Sequence, residues 1–297
     1  MCGIAGLFLK DVRLEPQLGA MLASMLAVLS DRGPDSAGFA LYGAGSAGAA
    51  KVTVRAADDE SLVAALRRLA SVHPAVSVDR RGNHAVLSVP VGAIDSVRSW
   101  VAEDGGLSVV GSGTRMEIFK EVGLPSEVAR RFDLAAMRGT HAIGHTRMAT
   151  ESAVTTRGAH PFSTGPDQCL VHNGSLSNHN AVRRLLRHEG ITFETDNDSE
   201  VAAGYLTWRM RQGQSLGQAL ESSLADLDGF YTFVVGTESG FAVLRDSIAC
   251  KPAVMAETDG YVAFGSEYRA LAVLPGASNA RVFEPEPATV YAWERAA

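Results

Sequence analysis

Met1-Cys2-Gly3-Ile4-Ala5-Gly6-Leu7-Phe8-Leu9 opens the chain, and its reading decides the fold. From Gly3 onward it reads as a first buried strand, with close backbone approach at its glycines. Cys2 stands directly before that strand. Loss of Met1 would make it the N-terminal residue, and an initiator methionine is usually removed when a small residue follows. A free α-amine has a reference pKa of about 7.7–8.0, against about 8.5 for the thiol. Two readings of Cys2 stand side by side. It is a nucleophile with its own amine as general base, or a small buried thiol packed like a hydrophobe in a first strand.

Working outward, residues 14–30 carry Leu18, Met21, Leu22, Met25, Leu26 and Leu29 at helical spacing, so an amphipathic helix follows the strand. Asp31-Arg32-Gly33-Pro34-Asp35 punctuates the chain, and residues 36–42 read as a second strand. Residues 43–139 have another texture. Short β-like runs (51–55, 84–91, 107–110) alternate with helical ones (60–71, 93–101, 126–132), which predicts an α/β insertion. From residue 140 strand character returns at 142–145 and 169–172. Helices are expected at 178–189, 199–211 and 216–224, then strands at 231–235, 241–245, 253–256 and 261–264 joined by Gly-containing turns. Ser266-Glu267 reads as the start of a helix over 268–274, and strands at 282–283 and 289–293 close the chain. Strands at both ends with helices between them predict an α+β layer architecture over residues 1–297, interrupted by the insertion.

Composition narrows the function classes. The chain has 297 residues, 46% apolar and 20% charged, as expected of a soluble globular protein with a sizeable core. A net charge of −6 argues against a sequence-wide grip on nucleic acid or anionic lipid. No apolar run approaches the roughly 18–20 residues a membrane span needs, and no signal peptide is legible. Three cysteines (Cys2, Cys169, Cys250) form no even disulfide framework, which suits a reducing compartment, the cytoplasm.

Three local motifs join Cys2. His145-Thr146-Arg147 lies at a strand end, where Arg147 is a structural ion pair or a bidentate carboxylate ligand. His172-Asn173-Gly174 is a turn, or an oxyanion hole built from the Asn173 amide and the Gly174 N–H. Asp198-Ser199-Glu200 is an ordinary helix start, or places Asp198 to receive an ammonium group. Taken together, a thiol, an oxyanion hole, an Arg and an Asp fit an α-amino acid with a reactive side-chain carbonyl, of which glutamine is the obvious candidate.

Met1-Cys2-Gly3-Ile4, Arg32-Gly33-Pro34-Asp35-Ser36, His145-Thr146-Arg147, His172-Asn173-Gly174 and Asp198-Ser199-Glu200 resemble the class II glutamine amidotransferases. So does the later set Arg245-Asp246, Lys251-Pro252 and Ser266-Glu267. The motifs follow the family's order and nearly span the chain. The resemblance implies an N-terminal-nucleophile (Ntn) hydrolase fold, a four-layer αββα sandwich of antiparallel sheets. It implies that Cys2 attacks the glutamine amide, that Asn173 and Gly174 stabilise the oxyanion, that Arg147 binds the α-carboxylate and that Asp198 binds the α-ammonium. It leaves Arg32, Asp35 and Arg245-Asp246 to site architecture. Gly158-Ala159-His160-Pro161-Phe162 and the residues around Asn173 look most like the glutamate-synthase-type branch, the nearest likeness being the small subunit of N-methylglutamate synthase (methylamine–glutamate N-methyltransferase). This implies a free-standing subunit beside a larger glutamate-synthase-like partner that carries FMN and an iron–sulfur cluster. Glu151 departs from the pattern where several relatives place His, and the insertion is longer than in compact relatives.

Other residues carry less. His141 and His145 share a strand face, but two histidines are too few for a zinc site, so both read as packing residues. Cys169 and Cys250 read as buried thiols, and Arg183, Arg184, Arg187 and His188 as a solvated basic stripe. No phosphate-binding glycine loop is present, and no cofactor is expected in this chain. Two alternatives to the subunit reading remain: a stand-alone γ-glutamyl amidohydrolase, and a non-catalytic scaffold if Met1 is retained.

Overall fold

The structure is a computed structural model that describes residues 2–104, 106–149 and 153–295. Met1 and Glu151, on which two of the expectations rest, lie outside the described residues. The chain runs β1 (Gly3–Leu9), α1 (Leu18–Val28), β2 (Ser36–Tyr42), β3 (Ala49–Arg55), α2 (Asp59–Val72), β4 (Ser77–Arg81), β5 (His84–Pro90), α3 (Ile94–Asp104) and β6 (Ser108–Gly113). It continues through β7 (Met116–Val122), α4 (Pro125–Arg131), β8 (His141–Arg147), β9 (Phe162–Gly165), β10 (Gln168–Leu176), α5 (His179–His188) and α6 (Asp198–Arg211). Then come α7 (Leu216–Asp226), β11 (Gly229–Gly236), β12 (Gly240–Arg245), β13 (Val254–Glu257), β14 (Tyr261–Gly265), α8 (Tyr268–Ala272), β15 (Arg281–Phe283) and β16 (Val290–Glu294).

A seven-stranded sheet has the order β15-β13-β14-β1-β8-β2-β7, and a five-stranded sheet the order β16-β12-β11-β10-β9. Strand alternation sets the layers, because successive side chains point to opposite faces. From β1, Ala5, Leu7 and Leu9 pack in one cluster with Leu18, Met21, Leu22 and Leu26 of α1. Ile4 and Phe8 enter a second cluster with Cys169 and Val171 of β10, Val234 of β11 and Phe241 of β12. The far face of the smaller sheet sends Leu170, Phe233, Val235 and Leu244 against Val182 of α5, Val201 and Leu206 of α6 and Leu220 of α7. The result is helix, sheet, sheet, helix: the αββα sandwich expected. The central strands of both sheets are covered on both faces, which is why β1, β2 and β12 read as largely apolar runs.

The stretch 43–139 divides in two. β4-β5-β3-β6 form a separate four-stranded antiparallel sheet. Val52, Val54 and Leu87 of that sheet pack on Leu62 and Leu69 of α2 and Val97 of α3, an α/β unit with its own small core. Residues after it return to the sandwich. β7 pairs with β2 in the large sheet, with Tyr42 opposite Met116, so the inserted unit leaves and re-enters at the tip of one hairpin. Phe132, which follows α4, and Leu134 join the cluster under α1. The first helix also differs from expectation. Residues 12–17 wind as a tighter 3-10 turn containing Pro16, and regular α-helix begins at Leu18. Proline has no N–H to give to the helical ladder.

Candidate functional site

β1 and β8 are antiparallel neighbours, with Gly3 opposite Thr146, so the start of the first strand lies beside the end of the strand that carries Arg147. Gly33 permits this arrangement: a Cβ there would stand 2.3 Å from the Thr146 carbonyl carbon and 2.4 Å from the Arg147 nitrogen. The following segment is pinned as Asp35 accepts from the Ala149 N–H at 2.7 Å.

Cys2 is half-buried, and its thiol donates to the Met148 carbonyl at 3.8 Å. Its own carbonyl accepts two hydrogen bonds, from Arg32 Nε at 2.9 Å and from Asn173 Nδ2 at 3.2 Å. Arg32 is held in turn by Glu267 at 2.5 Å. Ser266, its neighbour, accepts from the Ile4 N–H at 2.9 Å and donates its own N–H to the Ile4 carbonyl. The expected Ser266 helix cap is therefore replaced by a tie between the chain's two ends.

Asn173 lies in β10 of the other sheet, paired with Thr232. Gly174 has φ of +153°, and a Cβ would meet the Phe230 carbonyl oxygen at 2.0 Å, so no side chain fits. The pair lies in a strand, so the turn reading is excluded. His172 is buried and its Nδ1 faces Ser199 Oγ at 2.9 Å and Asp198 Oδ1 at 3.8 Å. Burial lowers the His172 pKa, opposed by the Asp198 charge. Asp198 Oδ2 also accepts from the Leu176 N–H at 2.9 Å, fastening the start of α6 to β10. The cap of α6 itself is Asn197, which accepts from the Ser199 N–H. Arg147 Nη1 donates to the Ala153 carbonyl at 3.4 Å.

The sheets are joined under the site by histidine. His145 Nε2 lies 3.1 Å from the His172 carbonyl, and its ring lies 3.9 Å from that of His160. Burial pushes His145 down to about 3 and His160 well below the ordinary imidazole value, so both rings are neutral. His141 contacts the Thr237 carbonyl at 2.8 Å and stacks on Tyr42. Among the described residues, no group of three or more His, Cys, Asp or Glu is placed to hold a metal ion.

The expected residues thus gather at one end of the sandwich: Cys2 and Asn173 in direct contact, Gly174 beside Asn173, Arg147 on the neighbouring strand, and Asp198 linked through His172. Arg32 is expected as architecture, while Glu267 and Ser199 are expected only as parts of helix starts, so the contacts they make at this site are additions from the structure. The signal available was their place in the motifs that carry the family resemblance, Arg32-Gly33-Pro34, Ser266-Glu267 and Asp198-Ser199. Arg245 donates to the Pro285 and Lys251 carbonyls, and Asp246 accepts from the Tyr231 and Ile248 N–H groups, a structural clasp. Two surface readings are corrected. Cys250 is exposed, because it sits in a loop after β12 rather than in a strand. Arg183 is buried, not solvated: Nη2 donates to the Asn197 carbonyl at 3.1 Å, and the guanidinium lies over Phe193.

Comparison with known proteins bears on the family and the fold. Residues 145–273 match the glutamine amidotransferase domain. The chain is 62% identical over 296 residues to the glutamine amidotransferase-like protein GlxB of Rhizobium meliloti (strain 1021), covering 99% of this chain and 98% of that one. A shorter region, 45% of this chain, is 35% identical to glutamine–fructose-6-phosphate aminotransferase of Vibrio vulnificus (strain YJ016), 22% of whose length it covers. In fold, 99% of the chain superposes on 47% of an allosteric regulatory enzyme of purine biosynthesis, with a TM-score of 0.65 at 20% identity. It superposes on 49% of the glutamine phosphoribosylpyrophosphate amidotransferase of B. subtilis with a TM-score of 0.62. With its Ntn-hydrolase sandwich and full-length similarity to GlxB, the chain belongs to the glutamine amidotransferase family.

Proposed function

We propose that this chain hydrolyses the side-chain amide of glutamine through a γ-glutamyl thioester on Cys2, and supplies ammonia to a separate synthase subunit of the N-methylglutamate synthase type. The observation that carries the reading is the double tether on the Cys2 carbonyl from Arg32 and Asn173, which fixes the residue before β1 against the second sheet. In this reading removal of Met1 frees the α-amine. The amine takes the thiol proton as sulfur adds to the amide carbon, and returns a proton to the leaving nitrogen, so that ammonia departs and the thioester remains. Water then adds to the thioester, the thiol is regenerated and glutamate leaves. Asn173 Nδ2 and the Gly174 N–H would donate to the tetrahedral oxyanion, a contribution of about 2.7–4 kcal/mol for one such donor elsewhere. Arg147 would take the α-carboxylate and Asp198 the α-ammonium.

The flavin (FMN) and iron–sulfur cluster belong, in this proposal, to the larger partner, and the reaction takes place in the cytoplasm. No helix among the described residues is long and apolar enough to cross a membrane. The test is the intact mass of the purified chain before and after a diazo-ketone analogue of glutamine. Loss of Met1 plus one adduct mapped to Cys2 is expected. Retained Met1 with no adduct overturns the mechanism and leaves the scaffold reading.

A further inference from the structure

The inserted unit and the sandwich meet around a cavity of about 180 Å³ whose wall is dominated by positive charge. Arg55 comes from the end of β3, Arg98 from α3, Lys120 from β7, Arg157 from the segment before β9, and Arg211 from the end of α6. Among the described residues, none of these four arginines forms an ion pair with a carboxylate, while ten other arginines do. Two carboxylates line the space, Glu194 and Glu200. Glu200 is committed elsewhere: it accepts from the Glu194 N–H and the Thr195 N–H, each at 2.8 Å. Lys120 is buried, with its ammonium spent on the Arg157, Ala159 and Pro161 carbonyls at 2.9–3.3 Å. It therefore adds charge to the cavity wall and holds Arg157 in place. The guanidinium of Arg55 is pushed below its usual pKa by burial and by the neighbouring Arg157, and Lys120 is brought down to about 8 by burial and Arg55. Glu194 and Glu200 oppose these shifts, but two carboxylates face five cations, so the wall keeps a net positive charge.

We propose that this cavity is a binding site for the phosphate groups of a small phosphorylated molecule, separate from the Cys2 end of the sandwich. Guanidinium groups match phosphate oxygens with paired N–H donors, and several converging arginines favour a multiply charged anion over a single carboxylate. The volume is below the roughly 300–1,000 Å³ of pockets that enclose a drug-sized ligand. It accommodates one or two phosphate groups and leaves any attached nucleoside at the mouth, where Arg98, Arg157 and Arg211 are exposed. The site draws on both the insertion and the sandwich, so its occupant would bridge them.

Calorimetric titration of the full chain with pyrophosphate, inorganic phosphate and ADP, at fixed ionic strength and with malonate as the carboxylate control, tests the proposal. One saturable site for pyrophosphate is expected, with at least tenfold weaker binding in an Arg98→Gln/Arg211→Gln chain. A separate Arg157→Gln chain should lose affinity as well, so the result does not hang on one variant's folding. Tighter binding of ADP than of pyrophosphate would identify a nucleotide as the source of the phosphates; equal binding would identify the phosphate groups alone. Absence of saturable heat at millimolar ligand, unchanged affinity in both variants, or equal binding of malonate overturns the assignment. The Cys2→Ala chain should bind pyrophosphate as the parent does, so failure of the thioester reading and failure of this one are told apart.

Discussion

Cys2 is positioned through its backbone as well as its thiol. Its carbonyl is the meeting point of Arg32 and Asn173, and Arg32 is fixed by Glu267 near the end of the chain. The local motifs around each of these residues are readable in the sequence, because each is short. Their convergence is not, since the partners are 30, 171 and 235 residues apart. Asp198 shows how a residue assigned one role can carry a second. It binds the Leu176 N–H and faces His172, while its side chain remains 22% exposed and thus reachable by a ligand. Asp198→Asn keeps the size and the acceptor oxygen but removes the charge. A charge-assisted hydrogen bond contributes about 1.5–3 kcal/mol, so KM for glutamine should rise roughly tenfold to a hundredfold, with kcat and thermal stability little changed. Steady-state kinetics checks this, and an unaltered KM refutes the ammonium role.

At the scale of elements, helices were the more legible. α7 begins with a capping box in which Ser215 accepts from the Gln218 N–H and Gln218 reaches back to the Ser215 N–H. Ser215→Ala should cost about 0.5–2 kcal/mol by denaturant unfolding without changing glutamine turnover. A change below about 0.2 kcal/mol would show that α7 is held by its packing alone. Strands were less legible where they lie at an edge or are polar. β7, Met-Glu-Ile-Phe-Lys-Glu-Val, carries three charged residues, yet it completes the large sheet beside β2. Glu117 pairs with Lys51, Lys120 with three carbonyls, and Glu121 with Asn83 and Thr156. Each charge is matched by a distant partner, so local polarity gives no sign of the strand. The short exposed β4 and the four-residue β9 were hidden for a related reason: neither carries enough apolar pattern to stand out.

Across the molecule, buried imidazoles tie stability to pH. Burial lowers His84 and His145 to about 3 and His141 to about 4, below the ordinary value of 6.5. Above pH 6.5 these rings are neutral in both the folded and the unfolded chain, and their full contribution to stability is present. As pH falls below 6.5 the unfolded chain binds the protons first, so stability drops until the folded rings themselves titrate near pH 3–4. Each ring should contribute a slope of roughly 1 kcal/mol per pH unit inside that window. Urea unfolding at about pH 7, 6 and 5 should show the loss, and His141→Gln should make it shallower. A parallel pH dependence in that variant would remove His141 from the account.

Along the chain itself an α+β layer architecture can be read, and the family resemblance adds the αββα order and the candidate site residues. Apolar runs in strands and 3.6-residue spacing in helices are local patterns, and the short motifs at Cys2, Arg147, Asn173-Gly174 and Asp198 are contiguous in the chain. Only the tertiary structure decided the rest. It split residues 43–139 between an inserted sheet and the main one, turned the Ser266 cap into a tie to Ile4, and exposed Cys250 while burying Arg183. It also gathered Arg55, Arg98, Lys120, Arg157 and Arg211 around one cavity. The physical reason is the same in each case: the partner that settles a polar or charged side chain lies far away in sequence, and its arrival depends on the packing of whole layers.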